Sequence, residues 1–180
     1  MPNFPKRIRF FHRLSIALLL LSAALHFRAY LPNAAPLPKG VIFLLSIGLF
    51  ITFIPAIRCA SVMVGQRYRQ DMWKVVLAPL SKWHRRALVL LIIYVAFNFI
   101  STLFVLNRGL SAEQRAGRYV LESKGRVVKA VDQATYVLFR NREFRGLSGH
   151  VVFFQAISGA LLLAALRTQK RNVGSAGFSR

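Results

Sequence analysis

Acidic side chains are scarce: 5 Asp and Glu stand against 26 Lys and Arg in 180 residues, for a formal charge of +21. The five are Asp71, Glu113, Glu122, Asp132 and Glu143, and none lies in a long apolar run. That excludes an ion pathway built on intramembrane carboxylates. Cysteine is nearly absent as well. Cys59 stands alone, so an intrachain disulfide and a thiolate metal cluster are both excluded. Placed beside Arg58 at a helix end, it reads as a small buried hydrophobe. No carboxylate pair, activated nucleophile or metal-ligand spacing occurs, so no catalytic residue, cofactor or metal site is assigned.

What the chain does have is apolar sequence in blocks. It is 55% hydrophobic, with a mean hydropathy of +0.45. The blocks are apolar all round, whereas a soluble core helix shows only a stripe. They predict four membrane spans, at about residues 14–31, 40–57, 87–106 and 147–166. The expected fold is an all-α membrane protein. It is a four-transmembrane-helix bundle with a small extramembrane β-hairpin plus helix (107–146) between spans 3 and 4. Residues 167–180 read as a disordered basic tail.

In a soluble protein a charge of +21 would suggest nucleic acid. Here the basic residues cluster at the ends of apolar blocks, where they anchor to anionic headgroups and set topology. Nucleic acid is therefore not an expected partner; the lipid bilayer is, with a protein partner or a second copy beside it. The basic start MPNFPKRIRFFHR also opens like a signal peptide. The Leu-dense block after it is long enough to stay, and an uncleaved first span is the reading taken. With four spans both termini share a side. That side carries 15 Lys and Arg against 11 on the other, so the termini are expected in the cytoplasm and loop 107–146 outside it.

Polar residues within the spans are few. Asn98 falls near the middle of the third span and Gln155 within the fourth, which makes them candidates to bond each other between helices. Ala156, Ala160 and Ala164, with Gly159, would let another helix approach closely. Between spans, residues 65–86 place Met72, Trp73, Val76, Leu77, Leu80 and Trp83 at helical spacing among basic residues. That is the pattern of a helix in the headgroup plane, and a structured basic loop fits equally.

Arg118–His150 is different in kind. Tyr119 and Leu121 alternate with Val120 and Glu122, and Val127, Lys129 and Val131 with Val128 and Ala130. Ser123-Lys124-Gly125 between them predicts a three-residue hairpin turn. Asp132 offers an N-cap, Gly146 is expected to end the helix it starts, and Ser148 to cap the fourth span. Glu143, Arg145 and His150 would then form a polar cluster at the membrane surface. With Tyr119, Tyr136 and Ser148 they make the candidate contact patch.

The run YVL…GRVV…Y…E.R..SGH, carried by Tyr119, Gly125, Tyr136, Glu143, Arg145, Ser148, Gly149 and His150, resembles a segment of small bacterial multi-span inner-membrane proteins. The aromatic pair Phe153-Phe154 follows as it does there. The resemblance implies a bacterial inner-membrane location and no particular activity. The leading expectation is a non-enzymatic membrane protein acting through protein or lipid contacts of its extracytoplasmic loop. A small oligomeric transporter or channel subunit is the alternative. An interfacial enzyme using Glu143 and His150 stands third.

Overall fold

In a computed structural model of the chain, the described residues are 4–31, 34–64, 74 and 77–176. Most of them are helical. The elements are α1 (Phe4–Arg28), α2 (Lys39–Val64), α3 (Lys82–Ile100, continued by a π-helical turn over Ser101–Leu106), β1 (Ser111–Arg115), β2 (Arg118–Ser123), β3 (Arg126–Ala130) and α4 (Gln133–Ala176). Among the described residues, four helices are long and apolar enough to cross a membrane.

The helices are longer than the apolar blocks inside them. α1 begins at Phe4, so the basic residues Lys6 to Arg13 ride on the helix itself, and α2 runs through Pro55 to Val64. The largest departure is in α4. Gly146, expected to terminate a short helix, lies within 44 continuous helical residues, and Ser148 caps nothing. Its lack of a side chain serves packing instead. A Cβ at Gly146 would stand 3.0 Å from Thr102 Cγ2, so the glycine admits α3 where any larger residue would hold it off. Residues 167–176, expected as part of a disordered tail, continue α4. There Arg167 donates to the Pro79 carbonyl at 3.1 Å, and Thr168 to the Ala164 carbonyl. Of the proposed interfacial helix, residues 65–73, 75 and 76 lie outside the described residues, and a turn at Ala78-Pro79 precedes α3.

The chain divides into two compact units, one of residues 1–20, 47–92 and 153–180, the other of 21–46 and 93–152. In the first, Ile8 of α1 meets Ala56, Cys59 and Ala60 of α2 and Leu161, Leu162 and Ala165 of α4. Gly159 admits Ile16 and Ser15. Cys59 is buried in that core. In the second, Ala29, Leu45, Phe144 and Val151 form the apolar cluster. α4 supplies a face to both cores. Accordingly 56% of its apolar window is buried, against 17% in each of the other three helices.

The second unit also holds the sheet, which is three-stranded and antiparallel in the order β1-β2-β3. The hairpin expected over 119–131 is β2–β3, and β1 is an addition to it. Both turns hold only two residues, Ala116-Gly117 and Lys124-Gly125, each with two positive φ values. That is the type I′ geometry whose twist matches paired strands, and the second glycine makes it accessible. The turn at Gly125 is thus a two-residue and not a three-residue one. β3 carries a bulge: Leu121 faces Lys129 and Glu122 faces Val127, leaving Val128 extra. The bulge breaks the expected alternation. Val127 and Val128 are both exposed, at 51% and 59%.

Asp132 caps α4, accepting the Thr135 backbone N–H at 2.7 Å. That hydrogen bond holds its carboxyl below the ordinary carboxylate range. A depressed folded value adds stability that is present above the unfolded value and lost as pH falls through the folded one. Amide exchange at Thr135 is therefore expected to accelerate in that acid window, corrected for the intrinsic rate. In Asp132→Asn the step should vanish, and an unchanged profile would show that the carboxylate contributes nothing to the cap.

Candidate functional site

Buried polar side chains between packed helices need partners from those helices. In the second unit this produces a closed ring. His26, near the end of α1 and 1% exposed, places Nδ1 2.8 Å from Ser148 Oγ of α4 and Nε2 against Tyr94 Oη of α3. Tyr94 Oη is 3.0 Å from Tyr30 Oη, and Tyr30 donates to Asn98 Oδ1 at 3.3 Å. Asn98 Nδ2 donates to the Arg145 carbonyl at 2.9 Å, and that carbonyl also lies 3.5 Å from Ser148 Oγ. Five side chains and one carbonyl, drawn from α1 and the turn after it, α3 and α4, close on themselves.

The spacing explains the assembly. Tyr94 and Asn98 are four residues apart and share one face of α3, as Arg145 and Ser148 share one face of α4. Gly149 makes room for them. A Cβ there would be 2.8 Å from Asn98 Nδ2 and 3.6 Å from His26 Cε1. The Arg145 guanidinium lies over the Tyr30 ring, 4.3 Å from its centroid.

The hydroxyl and imidazole protons of the ring can be placed in two ways, the second of which turns the Tyr30 proton away from Asn98. Running one way, Ser148 donates to Nδ1 of His26, Nε2–H donates to Tyr94, Tyr94 to Tyr30, and Tyr30 to Asn98. Running the other, Tyr30 donates to Tyr94, Tyr94 to Nε2, Nδ1–H to Ser148, and Ser148 to the Arg145 carbonyl. Each hydroxyl supplies one proton and each imidazole tautomer one N–H, so both settings satisfy His26 and both tyrosines. A shift of the His26 tautomer reverses the chain. That is the arrangement of a short proton relay.

The first unit holds a smaller polar knot. Gln155 Oε1 accepts from Thr52 at 2.9 Å and from Ser15 at 3.5 Å, and Ser15 also donates to the Gln155 carbonyl. Asn98 and Gln155, expected to bond each other, thus serve two separate networks. They sit fifty-seven residues apart on different helices, and each finds nearer hydroxyls or carbonyls.

The expected cluster of Glu143, Arg145 and His150 is likewise not formed. Glu143 accepts the Ala112 backbone N–H at 2.6 Å and pairs with Arg140 at 2.8 Å, tying β1 to α4. His150 bonds the Gly146 carbonyl at 2.9 Å and meets the Phe99 ring edge-on. Arg145 goes to Tyr30. Three neighbours in sequence point three ways around a helix that was expected to break between them. Tyr119 and Tyr136 do meet, stacked at 4.7 Å between β2 and α4. Among the described residues no group of three metal-ligating side chains comes together.

His26, Tyr30 and Tyr94 are the members that sequence reasoning missed. The available signal was the four-residue step from Tyr94 to Asn98, two polar tips on one face of an otherwise apolar helix. Comparison of the chain with protein-family models, curated proteins and solved structures finds no match.

The two polar sites should respond differently to substitution. Gly149→Ala drives a methyl into Asn98 and is expected to cost about 1–3 kcal/mol through overpacking and loss of the ring. Gln155→Leu should stay within about 1 kcal/mol, because Thr52 keeps the Leu49 carbonyl at 3.0 Å and an unpartnered buried Nε2 disappears. Denaturant unfolding of the purified protein in detergent measures both. Equal losses would deny the ring its structural weight.

Proposed function

We propose that the chain is a four-span inner-membrane protein of bacterial type, with cytoplasmic termini, that works without catalysis by contacting another protein through its sheet. The membrane reading is supported by the lipid-like faces of the long helices, where Phe43, Leu44, Phe97 and Phe104 are about two-thirds exposed or more. Orientation follows the richer Lys and Arg content of the termini side. A reporter active only in the cytoplasm, fused after Arg180, is expected to work, and one active only in the periplasm to fail; the opposite pair of results inverts the topology.

The contact reading rests on one observation: an adjacent, exposed Val127–Val128 pair on the outer strand β3, flanked by Arg126 and Lys129. The other edge is engaged, since Glu143 takes the Ala112 amide and Lys39 pairs with Glu113. A bulge and flanking basic residues oppose the addition of a further strand. The partner is therefore met through side chains, and an apolar spot rimmed by carboxylates fits this surface. A photo-crosslinking residue at Lys129 should capture one discrete partner in cells, and Val127→Lys with Val128→Lys should abolish the adduct while leaving the unfolding midpoint in detergent unchanged. An adduct that survives the double substitution, or one matched by crosslinking from exposed Gln114, removes the reading.

A second reading, a small transporter subunit, is favoured by the His26 ring and its two proton settings. It requires His26-dependent proton flux in liposomes, and absence of flux from the intact protein would end it.

A further inference from the structure

Within the second unit, a cavity of about 310 Å³ is walled by the end of α3, the loop over residues 107–111 and residues 143–147 of α4. The π-helical turn that ends α3 shapes it. There the Asn107 N–H donates to the Thr102 carbonyl at 3.0 Å, a step of five residues. In a regular α-helix two residues five apart point well away from each other. The wider turn brings both Thr102 and Asn107 to the cavity wall, and such turns are frequent at functional sites.

Both side chains have unused bonding capacity. Thr102 and Asn107 are 6% and 5% exposed, and Thr102 Oγ1 and Asn107 Oδ1 are buried without a hydrogen-bond partner. The hydroxyl can donate, whereas the amide oxygen only accepts. Glu143 is a third polar point on the wall. Its carboxylate takes the Ala112 amide and is neutralised by Arg140, yet each oxygen keeps acceptor capacity. Phe99, Leu103 and Leu147 are apolar lining, and all three are exposed on the outer side of the helices.

Those walls select the occupant. A phosphate or a fatty-acid carboxylate would meet the like charge of Glu143, and an ammonium would meet Arg140. A purely apolar molecule would seal Oγ1 and Oδ1 away from every partner, which is costly. What fits is an uncharged molecule with hydroxyl donors, a carbonyl acceptor and one apolar chain. The volume lies at the low end for small-molecule sites, enough for a small head and the start of one chain but not of two.

We propose that this cavity binds a monoacylglycerol. Its glycerol hydroxyls donate to Asn107 Oδ1 and Glu143, its ester carbonyl accepts from Thr102 Oγ1, and its chain leaves between Leu103 and Leu147. A chain leaving there enters lipid only if α3 and α4 are spans, so the proposal rests on the membrane reading, which the reporter fusions test separately. The site does not involve the Val127–Val128 surface.

Photolabelling of the full-length protein in phosphatidylcholine nanodiscs tests it, with a monoacylglycerol carrying a diazirine in its chain as probe. Saturable labelling is expected within residues 99–111 and 143–147. Competitors are compared at equal mole fraction in the bilayer. Monooleoylglycerol should compete roughly tenfold or more better than methyl oleate, which lacks the hydroxyls, and than oleate, which brings a second carboxylate. Asn107→Leu should remove most of the advantage over methyl oleate. It is expected to fold, because the oxygen it deletes has no partner in the chain. Leu103→Trp, which fills the cavity, should abolish the saturable labelling. The wild-type competition decides alone if either variant misfolds. Labelling of these segments that does not saturate, equal competition by monooleoylglycerol and methyl oleate, or an undiminished advantage in Asn107→Leu overturns the proposal. Stronger competition by oleate overturns the neutral head in favour of an anion.

Discussion

An imidazole buried on an apolar helix has to be satisfied by other helices, and His26 sets the terms for everything around it. With both ring nitrogens engaged, it requires Ser148 on one side and Tyr94 on the other. Those two demands fix the facing of α3 and α4 toward α1. Desolvation of each unmatched polar group would cost about 1–3 kcal/mol, comparable to what burying a whole apolar side chain returns. The register of the three helices therefore has to satisfy polar matching and apolar packing together. Gly146 and Gly149 then follow as necessities, because the hydrogen bonds can close only where α3 comes near enough.

The same requirement explains why α4 is continuous. A break at Gly146 would release backbone carbonyls in the very turn where the Arg145 carbonyl already accepts from Asn98. Left helical, that turn presents Arg145, Ser148 and Gly149 to α1 and α3 and still carries Glu143 outward to the sheet. β1 depends on this too. SAEQR has a single buried apolar residue, Ala112, and would not hold a strand on its own pattern. It is made by the Ala116-Gly117 turn on one side and by the Glu143 carboxylate on the other.

What could be read from the sequence follows from which signals are local. The four apolar blocks, the glycine of the Gly125 turn and the Asp132 cap are properties of a few adjacent residues, and they lie where that local chemistry puts them. The ends of the helices were not legible, since basic and small residues continue a helix as readily as they flank one. Gly146 shows the limit most clearly. A glycine after an arginine is a helix stop in water, but against Thr102 it is a contact point, and only the neighbour tells the two apart. The ring was hidden for the same reason: no two of its five side chains, apart from Tyr94 with Asn98 and His26 with Tyr30, are within a helical turn of each other in the chain.

Arg145 links the buried and the accessible parts of this unit. Its carbonyl closes the ring, its side chain covers Tyr30, and Tyr30 is itself a member of the ring. The guanidinium over the Tyr30 face is a formal charge set directly against one member of the ring, so the same residue shapes the ring through its backbone and through its side chain.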